Sequence, residues 1–111
     1  IEDRNLVTHA RELGQHALER LVKMQAHHSL IGDVRGMGLF LGIELVKNRQ
    51  TRERACDEAE AVMYAALSMG LSFKLTMGNI ITLSPPLTIT RKEMDQALDI
   101  VEACIADVEA S

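Results

Sequence analysis

The chain of 111 residues has no tryptophan, one tyrosine and two phenylalanines, so aromatic residues make up only 3% of it. A core without large rings is filled by Leu, Ile, Val, Ala and six Met, which points to helices packed on a small sheet rather than to an aromatic-rich β-sandwich. Positive charge is also short. Twelve Lys and Arg against 16 Asp and Glu leave a net charge of −4, which offers no basic field to a phosphate backbone, and nucleic acid is not an expected partner. No apolar run approaches the roughly 20 residues of a spanning helix, and no signal peptide is visible. The expected setting is therefore cytoplasmic, without membrane contact. Cys56 and Cys104 are far apart and lack metal-ligand spacing, so they read as reduced, inert thiols. Among the four histidines, His27 and His28 are adjacent, and His9 and His16 share one helical stripe; this fits a partly solvated helix face better than a zinc site. No metal is expected.

What is present supports one folded domain. Hydrophobic residues are 47% of the chain and mean hydropathy is +0.02, enough for a single core. The chain begins with Ile1, not Met, and is read as a piece of a longer protein. Its organising stretch runs Ile31-Gly-Asp-Val-Arg-Gly-Met-Gly-Leu-Phe-Leu-Gly-Ile-Glu-Leu-Val46, where β-type apolar residues combine with closely spaced glycines. Gly36, Gly38 and Gly42 mark bends or places where another backbone comes close.

Before that stretch, Leu6, Ala10, Leu13, Ala17, Leu18, Leu21 and Met24 fall at three-and-four spacing, which predicts a helix from about Asp3 to Met24. Strands are expected near Leu30–Arg35 and Leu39–Lys47, with Gly36-Met37-Gly38 reversing the chain or making a bulge. Asn48 to Arg54, with three arginines, reads as a solvated loop. Asp57 and Glu60 have the form of a capping box for a helix over Glu58–Ser68, with Ala59, Val62, Met63, Ala66 and Leu67 inward and Gly70 ending it. Leu71–Leu75 and Ile80–Leu83 read as strands around a Met77-Gly78-Asn79 turn, and Pro85-Pro86 closes the second. Thr90, Glu93 and the Ile89/Met94 pair signal the start of a last helix that reaches about Glu109 and buries Met94, Ala97, Leu98, Val101, Cys104, Ile105 and Val108. The expected fold is an α/β domain of the α+β type. Its order is α-β-β-α-β-β-α, with a small, largely antiparallel sheet of three or four strands and helices on one face.

These residues alone bring little chemistry together. Arg35-Gly36-Met37-Gly38 lacks the third glycine and the following helix of a dinucleotide loop. Arg35 is expected to pair with Asp33 or Glu44 rather than clamp an anion. No serine sits in a nucleophile elbow, and Asp57, Glu58 and Glu60 belong to caps and solvated faces. Of the four lysines, Lys74 stands apart between Phe73 and Leu75. Desolvation could depress its pKa or an anion could pair with it there; the plainer reading is that it alternates outward from a short strand.

Ile31–Val46 resembles the opening hairpin of the C-terminal small domain of class III, pyridoxal-phosphate-dependent aminotransferases, the group that includes 4-aminobutyrate and acetylornithine aminotransferases and dialkylglycine decarboxylase. Gly70-Leu-Ser72 and Leu83-Ser-Pro-Pro-Leu-Thr-Ile-Thr90 continue the resemblance in the same order. It implies that residues 1–111 are a fragment whose preceding large domain carries the aldimine lysine, the aspartate on the pyridine nitrogen and most phosphate contacts. No catalytic or cofactor-binding residue is therefore expected here, and pyridoxal 5'-phosphate is expected only in the full-length enzyme. The implied partners are that large domain, a small-molecule amino donor, a 2-oxo acid and a second subunit in a homodimer. The implied reaction moves an amino group between an amine or amino acid, such as 4-aminobutyrate, and the 2-oxo acid. A decarboxylase or epimerase of the same family, or a non-catalytic interaction domain, is the alternative. Many members carry an arginine two residues before the Ala/Ser-Pro after the last strand, where it grips a substrate carboxylate. Here Thr82 stands at that position, in Ile81-Thr82-Leu83-Ser84-Pro85, and a threonine cannot form that ion pair. Either Lys74 on the adjacent strand takes over the anion contact, or the amino donor lacks a carboxylate there. Lys74 and Thr82 are accordingly the candidate substrate-binding residues.

Overall fold

A computed structural model describes residues 4–111, so Asp3, the expected start of the first helix, lies outside the described residues. Helix α1 (Arg4–His27) leads into strands β1 (Ile31–Met37), β2 (Phe40–Asn48) and β3 (Glu53–Arg54). Helix α2 (Cys56–Ser68), strands β4 (Lys74–Thr76) and β5 (Ile80–Leu83) and helix α3 (Arg91–Ala110) complete the chain. All strand pairs are antiparallel. The spatial order is β1-β2-β5-β4, with β3 continuing beside the end of β2. The α+β expectation is met, with one short strand added.

Alternation on β2 decides how the layers stack. Leu41, Ile43 and Leu45 are buried with Ile81 and Leu83 of β5, while Gly42, Glu44 and Thr82 turn the other way. The helices cover the first face: Leu13, Ala17, Leu21 and Met24 of α1, Ala59, Val62 and Ala66 of α2, and Met94, Leu98, Val101 and Ile105 of α3 share one core with the strands. Each buried Leu or Ile stabilises by about 1.5–3 kcal/mol, and the other sheet face stays open.

The β1–β2 hairpin turns one step later than the sequence suggested. Gly36 and Met37 remain in the ladder, Met37 pairs Phe40, and the turn is Gly38-Leu39 with Gly38 at φ 57°. This tip is pressed onto α1 so closely that a methyl group on Gly14 would lie 2.1 Å from the Gly38 carbonyl oxygen. Gly42 is different: it has no positive φ, and the nearest atom to an added methyl is Cγ2 of Ile80 at 3.8 Å.

The Asp57/Glu60 capping box does not form. Ala55, buried, donates its N–H to the Leu45 carbonyl at 3.1 Å and opens the helical ladder by accepting from Ala59 at 2.9 Å, so Asp57 falls inside the helix. Ala55 is the cap, without a side-chain bond. Leu67 is also corrected: the inward stripe is Ala59, Val62 and Ala66, and Leu67, about 100° further round, is exposed. Gly70 ends α2 as expected, at φ 91°, with Leu71 N–H reaching the Ala66 carbonyl and Gly70 N–H the Leu67 carbonyl. The following strand starts at Lys74 instead of Leu71. At α3 the Thr90–Glu93 capping box is complete, in both directions.

The solvated loop expected over Asn48 to Arg54 is exposed, but it is a hydrogen-bonded turn whose last two residues form β3. Oδ1 of Asn48 accepts from Gln50 and Thr51, Arg52 pairs with Glu44, and Arg49 donates to the Gln25 and His28 carbonyls at the end of α1. Along the seam between α1 and α3, His9 bonds the Ile89 carbonyl and His16 bonds Asp95, each at 2.6 Å. That hydrogen bond from His16 holds the Asp95 carboxyl below its ordinary range, so its contribution is lost only as pH falls through that lowered value.

Gly14→Ala is expected to cost about 1–3 kcal/mol by forcing the hairpin tip off α1, whereas Gly42→Ala changes stability by less than about 1 kcal/mol. Thr90→Ala costs about 1 kcal/mol through the lost cap. Urea midpoints of the three variants check this, and equal losses at Gly14 and Gly42 would remove the argument for a clamped tip.

Candidate functional site

The open sheet face gathers both candidate residues. Across the strands Arg35 faces Gly42, Gly42 faces Thr82, and Thr82 faces Lys74. Short strands place them there because β4 and β5 each turn one residue in two toward the helices: Leu75, Ile81 and Leu83 inward, Lys74, Thr76 and Thr82 outward. Lys74 thus follows the plainer reading of outward alternation, and it is exposed rather than desolvated. The Thr82 hydroxyl lies 2.9 Å from that of Thr76.

Charges on β1 and β2 beside this face are already paired. Nε of Arg35 donates to Oδ2 of Asp33 at 2.9 Å, which removes the arginine as a free anion clamp, and Glu44 is held by Arg52. The contact with Asp33 also raises the Arg35 pKa further above its ordinary value. Among the described residues Lys74 has no ion-pair partner. It is a cation free to meet an anion beside Thr82.

Two hollows meet at Thr82. One, of about 350 Å³, lies over Gly42 and is walled by Arg35, Met37, Phe40, Ile80 and Thr82. The other, of about 470 Å³, runs past the ends of β4 and β5 between Phe73, Lys74, Thr82, Pro85, Ile89 and Met94. Both have apolar walls with hydroxyls, and the free ammonium of Lys74 stands at the rim of the second. Such a surface can seat an organic molecule and hold a carboxylate by Lys74. It contains no general base hydrogen-bonded to a nucleophile. Cys104 is buried, and that burial, with Asp107 adding to it, pushes its thiol pKa up, away from nucleophilic use.

The chain matches the family model of class-III aminotransferases over residues 1–105. It belongs to the class-III aminotransferase family. A leucine/methionine racemase of Thermococcus litoralis is 48% identical over 98% of the chain, and an (R)-1-hydroxy-2-aminoethylphosphonate ammonia-lyase of Vibrio splendidus is 47% identical over 97%. The chain spans about a quarter of the length of these curated relatives, 25% and 22%. A solved aminotransferase from Vibrio fluvialis, in its PMP-bound form, superposes on the whole chain with a TM-score of 0.88 at 26% identity, and the match covers 25% of that protein.

Class-III aminotransferases use pyridoxal phosphate, but the described residues of this class-III segment do not fit that group by themselves. The glycine-rich hairpin tip is packed against Gly14, so its backbone is not free to cradle a phosphate. Lys74 stands on an open surface beside hydroxyls, with no carboxylate poised to meet a ring nitrogen. No group of three or more His, Cys, Asp or Glu suited to a metal ion occurs among the described residues, and no helix among them is long and apolar enough to cross a membrane. Sequence reasoning named Lys74 and Thr82 as candidates on adjacent strands but missed that they are direct cross-strand neighbours and that Gly42 opens a hollow beside them; strand register, absent from any local motif, supplies both facts.

Pyridoxal phosphate titrated into the 111-residue chain is expected to give no saturable one-to-one absorbance band. A stoichiometric band that disappears in Lys74→Ala would show instead that this face holds the cofactor alone.

Proposed function

We propose that residues 1–111 are the C-terminal small domain of a pyridoxal-phosphate-dependent class-III aminotransferase. In the full-length enzyme they cover the active site and supply part of the substrate pocket, while a preceding large domain carries the cofactor lysine. The observation that carries this reading is the pairing of Lys74 with Thr82 on a sheet face bare of helices, in a chain that superposes along its whole length on an aminotransferase. Apolar surface around Met37 and Phe40, 84% and 58% exposed, fits a face that another part of the enzyme covers. The reaction is transfer of an amino group between an amine or amino acid and a 2-oxo acid. Within it, Lys74 holds a carboxylate of the amino donor and the Thr82 hydroxyl hydrogen-bonds beside it, replacing an arginine fork by a single ammonium.

A second reading is favoured by the racemase and ammonia-lyase relatives: the same scaffold inverting the α-carbon or expelling ammonia without an amino acceptor. The two separate cleanly in the full-length enzyme. Transamination consumes the 2-oxo acid and the donor in equal amounts, whereas racemisation yields the mirror-image amino acid and ammonia loss yields free ammonia, each with the 2-oxo acid untouched. Absence of all three outcomes would remove the enzymatic reading.

Lys74→Ala in the full-length enzyme should lower kcat/KM for carboxylate-bearing amino donors by about 10- to 100-fold, the range for losing a charge-assisted hydrogen bond, and should spare donors without a carboxylate. An unchanged kcat/KM would dismiss Lys74 from the substrate site.

A further inference from the structure

His28 occupies the turn between α1 and β1, and both of its ring nitrogens end on carboxylates of α3. Nδ1 lies 2.7 Å from Oε1 of Glu109, and Nε2 lies 3.0 Å from Oε2 of Glu102. A carboxylate accepts hydrogen bonds, so each nitrogen has to carry a hydrogen, and the ring in this arrangement is the imidazolium. The other histidines differ. Arg91 donates to Nδ1 of His16 at 3.2 Å, leaving the ring proton on Nε2 for Asp95, while His9 and His27 each direct one nitrogen to a backbone carbonyl.

The two glutamates carry the contact further. Oε2 of Glu109 accepts the Leu30 N–H at 3.0 Å, and the Leu30 carbonyl accepts from Val46 of β2 at 2.8 Å. Glu109 therefore joins the last turn of α3 to the entry of β1, an edge strand of the sheet. That turn has no basic residue of its own, so the negative end of α3 and Glu109 together depend on a cation from elsewhere. The charged groups around His28 are Glu102 and Glu109 from α3, Arg20 of α1 on the far side of Glu102 at 3.5 Å, and Arg49, which donates to the His28 carbonyl at 2.9 Å. Lys23 and His27 of α1 border the groove beside Glu102.

We propose that His28 is a proton-controlled latch: charged, it ties the end of α3 to the start of β1; neutral, it can satisfy only one of the two glutamates, and the last turn of α3 is released. Burial works against the charged ring, yet the hydrogen bonds and charges of Glu109 and Glu102 outweigh it and raise the His28 pKa above 6.5. The latch therefore contributes in full below that ordinary value and fades as pH rises through the raised one. Because Asp33 and Arg35 follow Leu30 on β1, the release reaches the margin of the open face. The latch itself stands apart from the chemistry proposed for that face.

Nitrogen NMR of the His28 ring and amide exchange at Leu30 in the full chain test the latch together. Both ring nitrogens should be protonated at neutral pH, with a midpoint above 6.5. Protection of the Leu30 amide, corrected for the intrinsic pH dependence of exchange, should be greatest below pH 6.5 and fall as pH rises through the raised His28 midpoint. Glu109→Gln should lower the His28 midpoint, and Glu102→Gln gives the same reading should the first variant not fold. A midpoint at or below 6.5, a single protonated nitrogen at neutral pH, or Leu30 protection that ignores pH would each overturn the proposal.

Discussion

Strand β2 has to bury one face, and that requirement arranges the rest of the domain. Leu41, Ile43 and Leu45 point to the helices because their only other choice is water, and every neighbour of β2 takes its register from that alternation. A slip of one residue would send these three outward and bring Gly42 and Glu44 in. The same alternation sets the composition of the open face, since Arg35, Thr82 and Lys74 are the cross-strand partners of positions on β2 and β5 that cannot face the core. Core packing and site geometry are thus one constraint seen from two sides of a sheet.

Around this sheet the polar contacts that matter join segments distant in sequence. Arg49 caps the end of α1, Arg52 neutralises Glu44, and His28 draws together α3 and β1. Asn79, almost fully buried, gives its side-chain amide to the Leu45 carbonyl, which Ala55 also reaches. Buried backbone groups at the β2 end are thereby satisfied where the regular ladder stops. This accounts for helix α2 starting at Cys56 without a side-chain cap: the chain is already held at Ala55.

Family membership and site geometry agree on what this part of the molecule is equipped for. It offers one free ammonium, hydroxyls and apolar hollows, which suit holding part of a small molecule. Its described residues do not form the enclosed lysine, carboxylate and phosphate cradle with which a pyridoxal enzyme does its chemistry. Under the proposed function the threonine at position 82 would matter, because a lone ammonium across the strand would fix a carboxylate in position but not in plane.

Every element except the short strand β3, their order and one complete cap were legible from residues alone, since helical spacing, period-two alternation and the Thr90–Glu93 signal act over a few neighbouring positions. So were the resemblance carried by the glycine-punctuated hairpin and the pairing of Arg35 with a neighbouring carboxylate, Asp33 or Glu44, of which the structure selects Asp33. Tertiary structure alone decided that Gly14 must be small, that Asp57 caps nothing, that Leu67 faces outward and that Lys74 and Thr82 stand side by side. Those outcomes depend on how separate elements of the chain pack and pair, and no local spacing encodes which backbone or charge will arrive.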